Sequence, residues 1–225
     1  MSDIMKSICA VEGVEAAGVK EGKYGLALIR ASGTGAAVFT KNRVRAPVVN
    51  LMAERTLRGK LDGVIVNSGC ANAYTGKRGF EDAKTMAQIG AEALGIDEMN
   101  CGVASTGVIG RYLDLDLIRR QTAAVAPNLA HSSAAEDAAA RAIMTTDTVP
   151  KHALVRADGF TVAGICKGSG MIAPNMGTML SFVYTDADVP ADTLRECLRT
   201  AVNRSLNRVV VDGDESTNDS LFCTA

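Results

Sequence analysis

Tryptophan is absent, and only four tyrosines and five phenylalanines occur among 225 residues. Basic runs are missing too: 24 lysines and arginines stand against 25 acidic residues, for a net charge of −1. A chain with neither aromatic clusters nor a cationic stripe does not read as a nucleic-acid surface, and small-molecule chemistry is the better expectation. No CxxC pair joins any of the six cysteines, at 9, 70, 101, 166, 197 and 223. In a large apolar chain they read as reduced packing residues rather than disulfide partners or metal ligands, Cys166 beside Lys167 included. The two histidines, His131 and His152, lie in polar surroundings away from any matching Ser or Cys motif and read as surface residues. The opening stretch carries charges at Asp3, Lys6, Glu12 and Glu15 and no long apolar core, so neither a signal peptide nor a membrane span is expected there, and the cytoplasm is the expected location. Linker-like, low-complexity and repeated segments are also missing.

What is present is apolar substance, 47% hydrophobic against 22% charged, enough for a core of one or two domains. Residues 26–29 and 37–40 read as short strands joined by a Ser32-Gly33-Thr34-Gly35 turn. Residues 62–67 form another buried strand, ending in the small-residue loop Asn67 to Ala73. Apolar or small residues at 80, 83, 87, 90 and 94 have helix spacing and predict a helix that covers a sheet. A strand at 101–104 runs into Ser105-Thr106-Gly107-Val108-Ile109-Gly110. Alanine-rich helices follow at about 114–125 and 134–144, then strands at 153–155 and 160–165 meeting at the Asp158-Gly159 turn. A helix at about 190–206 should bury Leu194, Cys197, Leu198, Ala201 and Val202. Residues 208–211 read as the last strand, closed by Asp212-Gly213-Asp214.

The chain is organised around Lys167 to Tyr184, KGSGMIAPNMGTMLSFVY. A glycine-rich loop passes through the Pro174-Asn175 turn to Gly177-Thr178 and becomes an apolar, β-prone run. Thr178 therefore sits between flexible backbone and rigid strand, where a hydroxyl can be held in a fixed direction while glycine lets the backbone approach a reacting carbonyl. A threonine heading a strand is, by itself, only a good β-former. Neighbouring motifs fail stricter tests. Gly168-Ser169-Gly170 with Ala173 mimics a dinucleotide fingerprint but is followed by Pro-Asn and a strand instead of a helix. Residues 69–77 lack P-loop spacing. Asp212 to Thr217 resembles a calcium loop but has Thr217 at the sixth position and Cys223 at the twelfth.

In KGSGMIAPNMGTML, supported in order by AGVKEGKYGLALI, AAVFTKNRVRAPVV, VNSGCANA, STGVIG, IMTTDTVPK and VVVDGDESTND, the sequence resembles the ornithine acetyltransferase (glutamate N-acetyltransferase) family of arginine biosynthesis. The resemblance implies an α/β fold, a layered sandwich of helices and mixed β-sheets of the self-cleaving N-terminal-nucleophile type. It implies cleavage between Gly177 and Thr178, with residues 1–177 as an α chain and 178–225 as the start of a β chain. Gly177 stands where the family usually has alanine. The freed α-amine, with an unperturbed pKa of about 7.7–8.0, would take the proton of the Thr178 hydroxyl. In a ping-pong reaction Thr178 would accept acetyl from N2-acetylornithine and pass it to glutamate. By the same resemblance Thr106 and Gly107 would form the oxyanion hole, and Thr145 and Lys167 would bind the amino-acid substrate.

No cofactor is implied, although some members also use acetyl-CoA as acetyl donor. The expected partners are the two small substrates and the two chains of one precursor, assembled as an oligomer of αβ pairs, with no nucleic acid and no membrane. Family members continue past Ala225 into a segment that supplies further substrate contacts, so the chain reads as a fragment. Two other readings keep these residues in view: a self-cleaving aminopeptidase-type amidohydrolase, in which water takes the acyl group, and a catalytically silent binding or assembly protein.

Overall fold

A computed structural model describes residues 7–173 and 179–225. Its strands are β1 (Glu15–Glu21), β2 (Tyr24–Phe39), β3 (Lys60–Cys70), β4 (Cys101–Val108), β5 (Lys151–Ala157), β6 (Phe160–Lys167), β7 (Leu180–Thr185) and β8 (Ser220–Thr224). They join in one mixed sheet of order β4-β3-β2-β8-β7-β6-β5, with β1 paired to the first part of β2. The pairs β3/β4 and β7/β8 are parallel and the remaining pairs antiparallel. Five α-helices accompany them among the described residues: α1 (Pro47–Arg55), α2 (Gly76–Leu94), α3 (Leu115–Val125), α4 (Ser133–Ile143) and α5 (Ala191–Arg204).

β3 is buried along nearly its whole length, which its continuous apolar run requires of a strand covered on both faces. Helix α2 is the crossover that a parallel β3/β4 pair needs. It sits close: a Cβ on its Gly90 would meet the Ile65 side chain at 2.6 Å. On the opposite face α4 presses on β1 and β2, where a Cβ on Gly18 would lie 2.5 Å from the Ala138 carbonyl and one on Gly25 2.2 Å from that of Ala142. Ser132 caps α4 by accepting the Ala135 amide, and Asp114 caps α3 by accepting that of Leu117. β8 divides its side chains by alternation: Phe222 enters the main core, whereas Leu221 and Cys223 face Leu194, Leu198 and Val202 of α5.

The strand and helix positions expected from 62–67, 80–94, 101–104, 114–125, 134–144, 153–155 and 160–165 all coincide with elements. Three expectations are corrected. Residues 32–35 make no turn, because β2 runs unbroken through them with a register shift between Arg30 and Gly33. The glycines serve close approach instead: a Cβ on Gly33 would lie 2.1 Å from the Ala225 carbonyl oxygen, and one on Gly35 2.7 Å from Leu61. Residues 208–211 are not a strand; Val209, Val210 and Val211 are exposed and outside every ladder, and the last strand is β8. In α5 the buried stripe is only Leu194, Leu198 and Val202, an i, i+4 line, so Cys197 and Ala201 face outward. β1 and α1 were not read from the sequence.

Phe222 stacks on Phe182 at 5.8 Å and meets Phe39 edge-on at 5.7 Å, joining β2, β7 and β8. Phe222→Ala should cost about 3–5 kcal/mol of unfolding free energy, read as a lowered urea midpoint. A midpoint within error of wild type would remove this cluster from the core's supports.

Candidate active site

Two strand ends build the floor of the site. Gly69 at the end of β3 faces Gly107 near the end of β4, and Gly107 has φ +132, a backbone that disfavours any side chain. A Cβ there would come within 2.4 Å of the Gly69 carbonyl carbon and 2.6 Å of the Cys70 nitrogen. Glycine is thus required at 107 by both conformation and space. Thr106, just before it, is buried.

The opposite wall comes from the end of α4 and the end of β6. Lys167 is 1% exposed, although lysine is almost never buried without a partner. Its ammonium donates to Thr145 Oγ1 at 3.2 Å. Burial lowers its pKa, and the charges of Asp147 and Asp219 oppose that shift. Asp147 accepts the Gly168 amide at 2.7 Å and pairs with Lys151. Burial works against its charge, but the bonds from Lys151, Gly168 and Thr145 outweigh it and leave its pKa below the ordinary value.

Thr106, Gly107, Thr145 and Lys167, which come from three separate stretches of the chain, line a single cavity of about 440 Å³ together with Lys20, Lys23, Gly69, Ser169 and Met171. Gly177 and Thr178, and with them the Pro174-Asn175 turn, lie outside the described residues. A more apolar cavity of about 350 Å³ lies between α5 and β5–β8, but it holds none of these polar groups.

The segment DGDESTND, which fails as a calcium loop, adds contacts beside the site. Asp212 accepts the amides of Met171 and Ile172, and Asp219 accepts that of Met179 at 2.7 Å. Asn218 donates to Ala71 and Ser105 carbonyls at 2.6 and 2.9 Å, fastening the segment to the β3 and β4 ends. The only sequence signal for these roles was acidic and amide side chains clustered beside a glycine turn. One cysteine reading holds and one histidine reading changes. Cys166 has its thiol pushed up to about 12, chiefly by burial, so the neighbouring Lys167 does not activate it. His152 is half-buried, with Nδ1 2.6 Å from the buried Glu136 carboxylate, because α4 and β5 bring the two together; His131 stays exposed.

Asp219 is 1% exposed, and burial pushes its carboxyl up to about 8 against the opposing Met179 amide, Ser216 hydroxyl and Lys167 charge; Glu215 raises it further. Between an unfolded value of 3.8 and the folded value of about 8, the folded chain binds a proton that the unfolded chain has lost. Its contribution to stability is therefore greatest below the unfolded value and declines as pH rises through about 8. Asp219→Asn should flatten the fall of unfolding free energy over that window by up to about 1.4 kcal/mol per pH unit, measured by denaturation at each pH. An unchanged slope would mean that Asp219 is ionised in the folded chain.

Comparison with known proteins identifies the family. The chain is 53% identical over 227 residues to the glutamate N-acetyltransferase of Methanosarcina mazei, covering 100% of this chain and 58% of that protein. It thus spans a little under three fifths of the length of such relatives. The crystal structure of the arginine biosynthesis bifunctional protein ArgJ from Bacillus halodurans superposes with a TM-score of 0.69 at 40% identity, over 75% of this chain and 93% of that one. Ornithine acetyltransferase from Mycobacterium tuberculosis, solved in complex with ornithine, gives 0.71 at 36% identity, over 76% and 96%. With the family pattern matched from residue 11 to residue 225, the chain belongs to the ArgJ family.

Proposed function

We propose that this chain carries the acyl-transfer centre of a glutamate N-acetyltransferase, moving acetyl from N2-acetylornithine to glutamate through Thr178 after self-cleavage at Gly177-Thr178. The observation that carries this reading is the convergence of Thr106, Gly107, Thr145 and Lys167 on one cavity. Support also comes from the ornithine bound to the relative from Mycobacterium tuberculosis.

In the precursor, the Thr178 hydroxyl attacks the Gly177 carbonyl, the peptide bond becomes an ester, and water hydrolyses it to free the α-amine. That amine then takes the Oγ proton while Oγ attacks the acetyl carbonyl of acetylornithine. Thr106 and the Gly107 amide stabilise the charge on the tetrahedral oxygen. Collapse forms the acetyl-threonine ester and expels ornithine as its amine, which receives the proton. The glutamate amine attacks the ester by the reverse route and leaves as N-acetylglutamate. Lys167, held toward Thr145, supplies a cation for a substrate carboxylate in a cavity that also carries Lys23. The boundary between the α and β chains falls at 177/178, and acetyl-CoA remains a second donor to be assayed.

Intact mass of the freshly purified protein under denaturing conditions should give two species, 1–177 and one beginning at Thr178, and a single species in Thr178→Ala. An uncut wild-type chain would overturn the self-cleavage step. Ornithine release should accelerate when glutamate is added; release indifferent to glutamate would make water the acceptor. Thr106→Ala should lower turnover by about 10²–10³, and unchanged turnover would remove it from the oxyanion hole.

A further inference from the structure

The reaction as written leaves Lys20 without a role, although it lines the same cavity. As a residue it is exposed, at the end of β1, yet its ammonium turns inward. Nζ donates to Ser68 Oγ at 2.8 Å, to the Ala142 carbonyl at 3.4 Å and to the Met144 carbonyl. Ser68, itself 2% exposed, donates in turn to Ala142 at 2.6 Å. All three ammonium protons are thus engaged, and none is left to hold a substrate.

Two of those acceptors belong to the end of α4, where carbonyls lack helical partners and a cation is favoured. The next residue after Met144 is Thr145, whose hydroxyl receives Lys167. Asp147 lies two positions further on and holds the Gly168 amide. The turn 144–147 is consequently pinned from β1 on one side and from β6 and its following loop on the other. Space around the pin is tight: a Cβ on Gly25 would meet Ala142 O at 2.2 Å, Ser68 Oγ at 2.8 Å and Lys20 Cδ at 2.9 Å.

We propose that Lys20 is a positioning residue, which fixes the turn after α4 so that Thr145 meets Lys167 at the substrate cavity. The substrate part of this proposal rests on the acetyl-transfer reading; the positioning part does not. Lys20 acts through Thr145 and touches no reacting atom.

The test compares Lys20→Met, which keeps much of the side-chain length but loses the donors, with Ser132→Ala, which removes the cap at the other end of α4. Two readouts are taken on each: amide hydrogen exchange at Thr145 and Gly168, and the KM and kcat for acetylornithine. Lys20→Met should speed exchange at both amides and raise KM several-fold to tenfold with kcat changed less. Ser132→Ala should loosen the start of α4 while leaving Thr145, Gly168 and KM as in wild type. Unchanged exchange in Lys20→Met, or the same changes in both variants, would overturn the positioning role, the latter because helix stability alone would explain them. A wild-type protein that turns over no acetylornithine would sink the transfer reading, and the exchange measurement would still decide the role of Lys20.

Discussion

Strand β2 has to serve two sheets' worth of partners with one backbone. Its first part pairs with β1 and β3, and its last part, Gly35 to Phe39, pairs with β8. The change of partner falls at the register shift between Arg30 and Gly33, where an irregularity lets a strand bend. Glycines at 33 and 35 leave room for Ala225 and Leu61 at that point. Everything at the site depends on this continuity, because Thr106 and Gly107 come from the β3/β4 side and Lys167 from the β6 side.

Much of this arrangement was legible in the sequence where periodicity was strong. The helix spacing from Phe80 to Leu94 and the apolar run of β3 mark elements whose burial leaves few alternatives. The failures have a common physical origin. Ser32-Gly33-Thr34-Gly35 has turn composition, but glycine also answers a demand for close approach, and a local window cannot distinguish the two. Val209 to Val211 have high β propensity, but propensity acts only where a neighbouring strand offers a ladder. The site residues Thr106, Gly107, Thr145 and Lys167 were named through family resemblance; their convergence is a property of topology that no spacing reveals.

Electrostatics was the least legible level. Lys167 looked like a lysine at a loop mouth and is instead almost fully buried, facing a carboxylate below its ordinary pKa at Asp147 and one above it at Asp219. The difference follows from hydrogen bonding: Asp147 gathers Lys151, Gly168 and Thr145, whereas burial prevails at Asp219. Lys167 is therefore set between one carboxyl whose charge is held in place by hydrogen bonds and another whose charge burial disfavours.

The position of β7 and β8 has a consequence for how the molecule would behave as two polypeptides. Both strands follow residue 178, yet they occupy the interior of the sheet, with β6 on one flank and β2 on the other, each contributed by residues before 174. A break in the backbone between those regions would leave the ladder bonds of β6/β7 and β2/β8 and the Phe39–Phe222–Phe182 cluster in place. The shorter piece could not diffuse away without opening the sheet along two seams at once. Separation would then be as slow as global unfolding, and recombining separately made pieces would require them to fold together, as fragment complementation does.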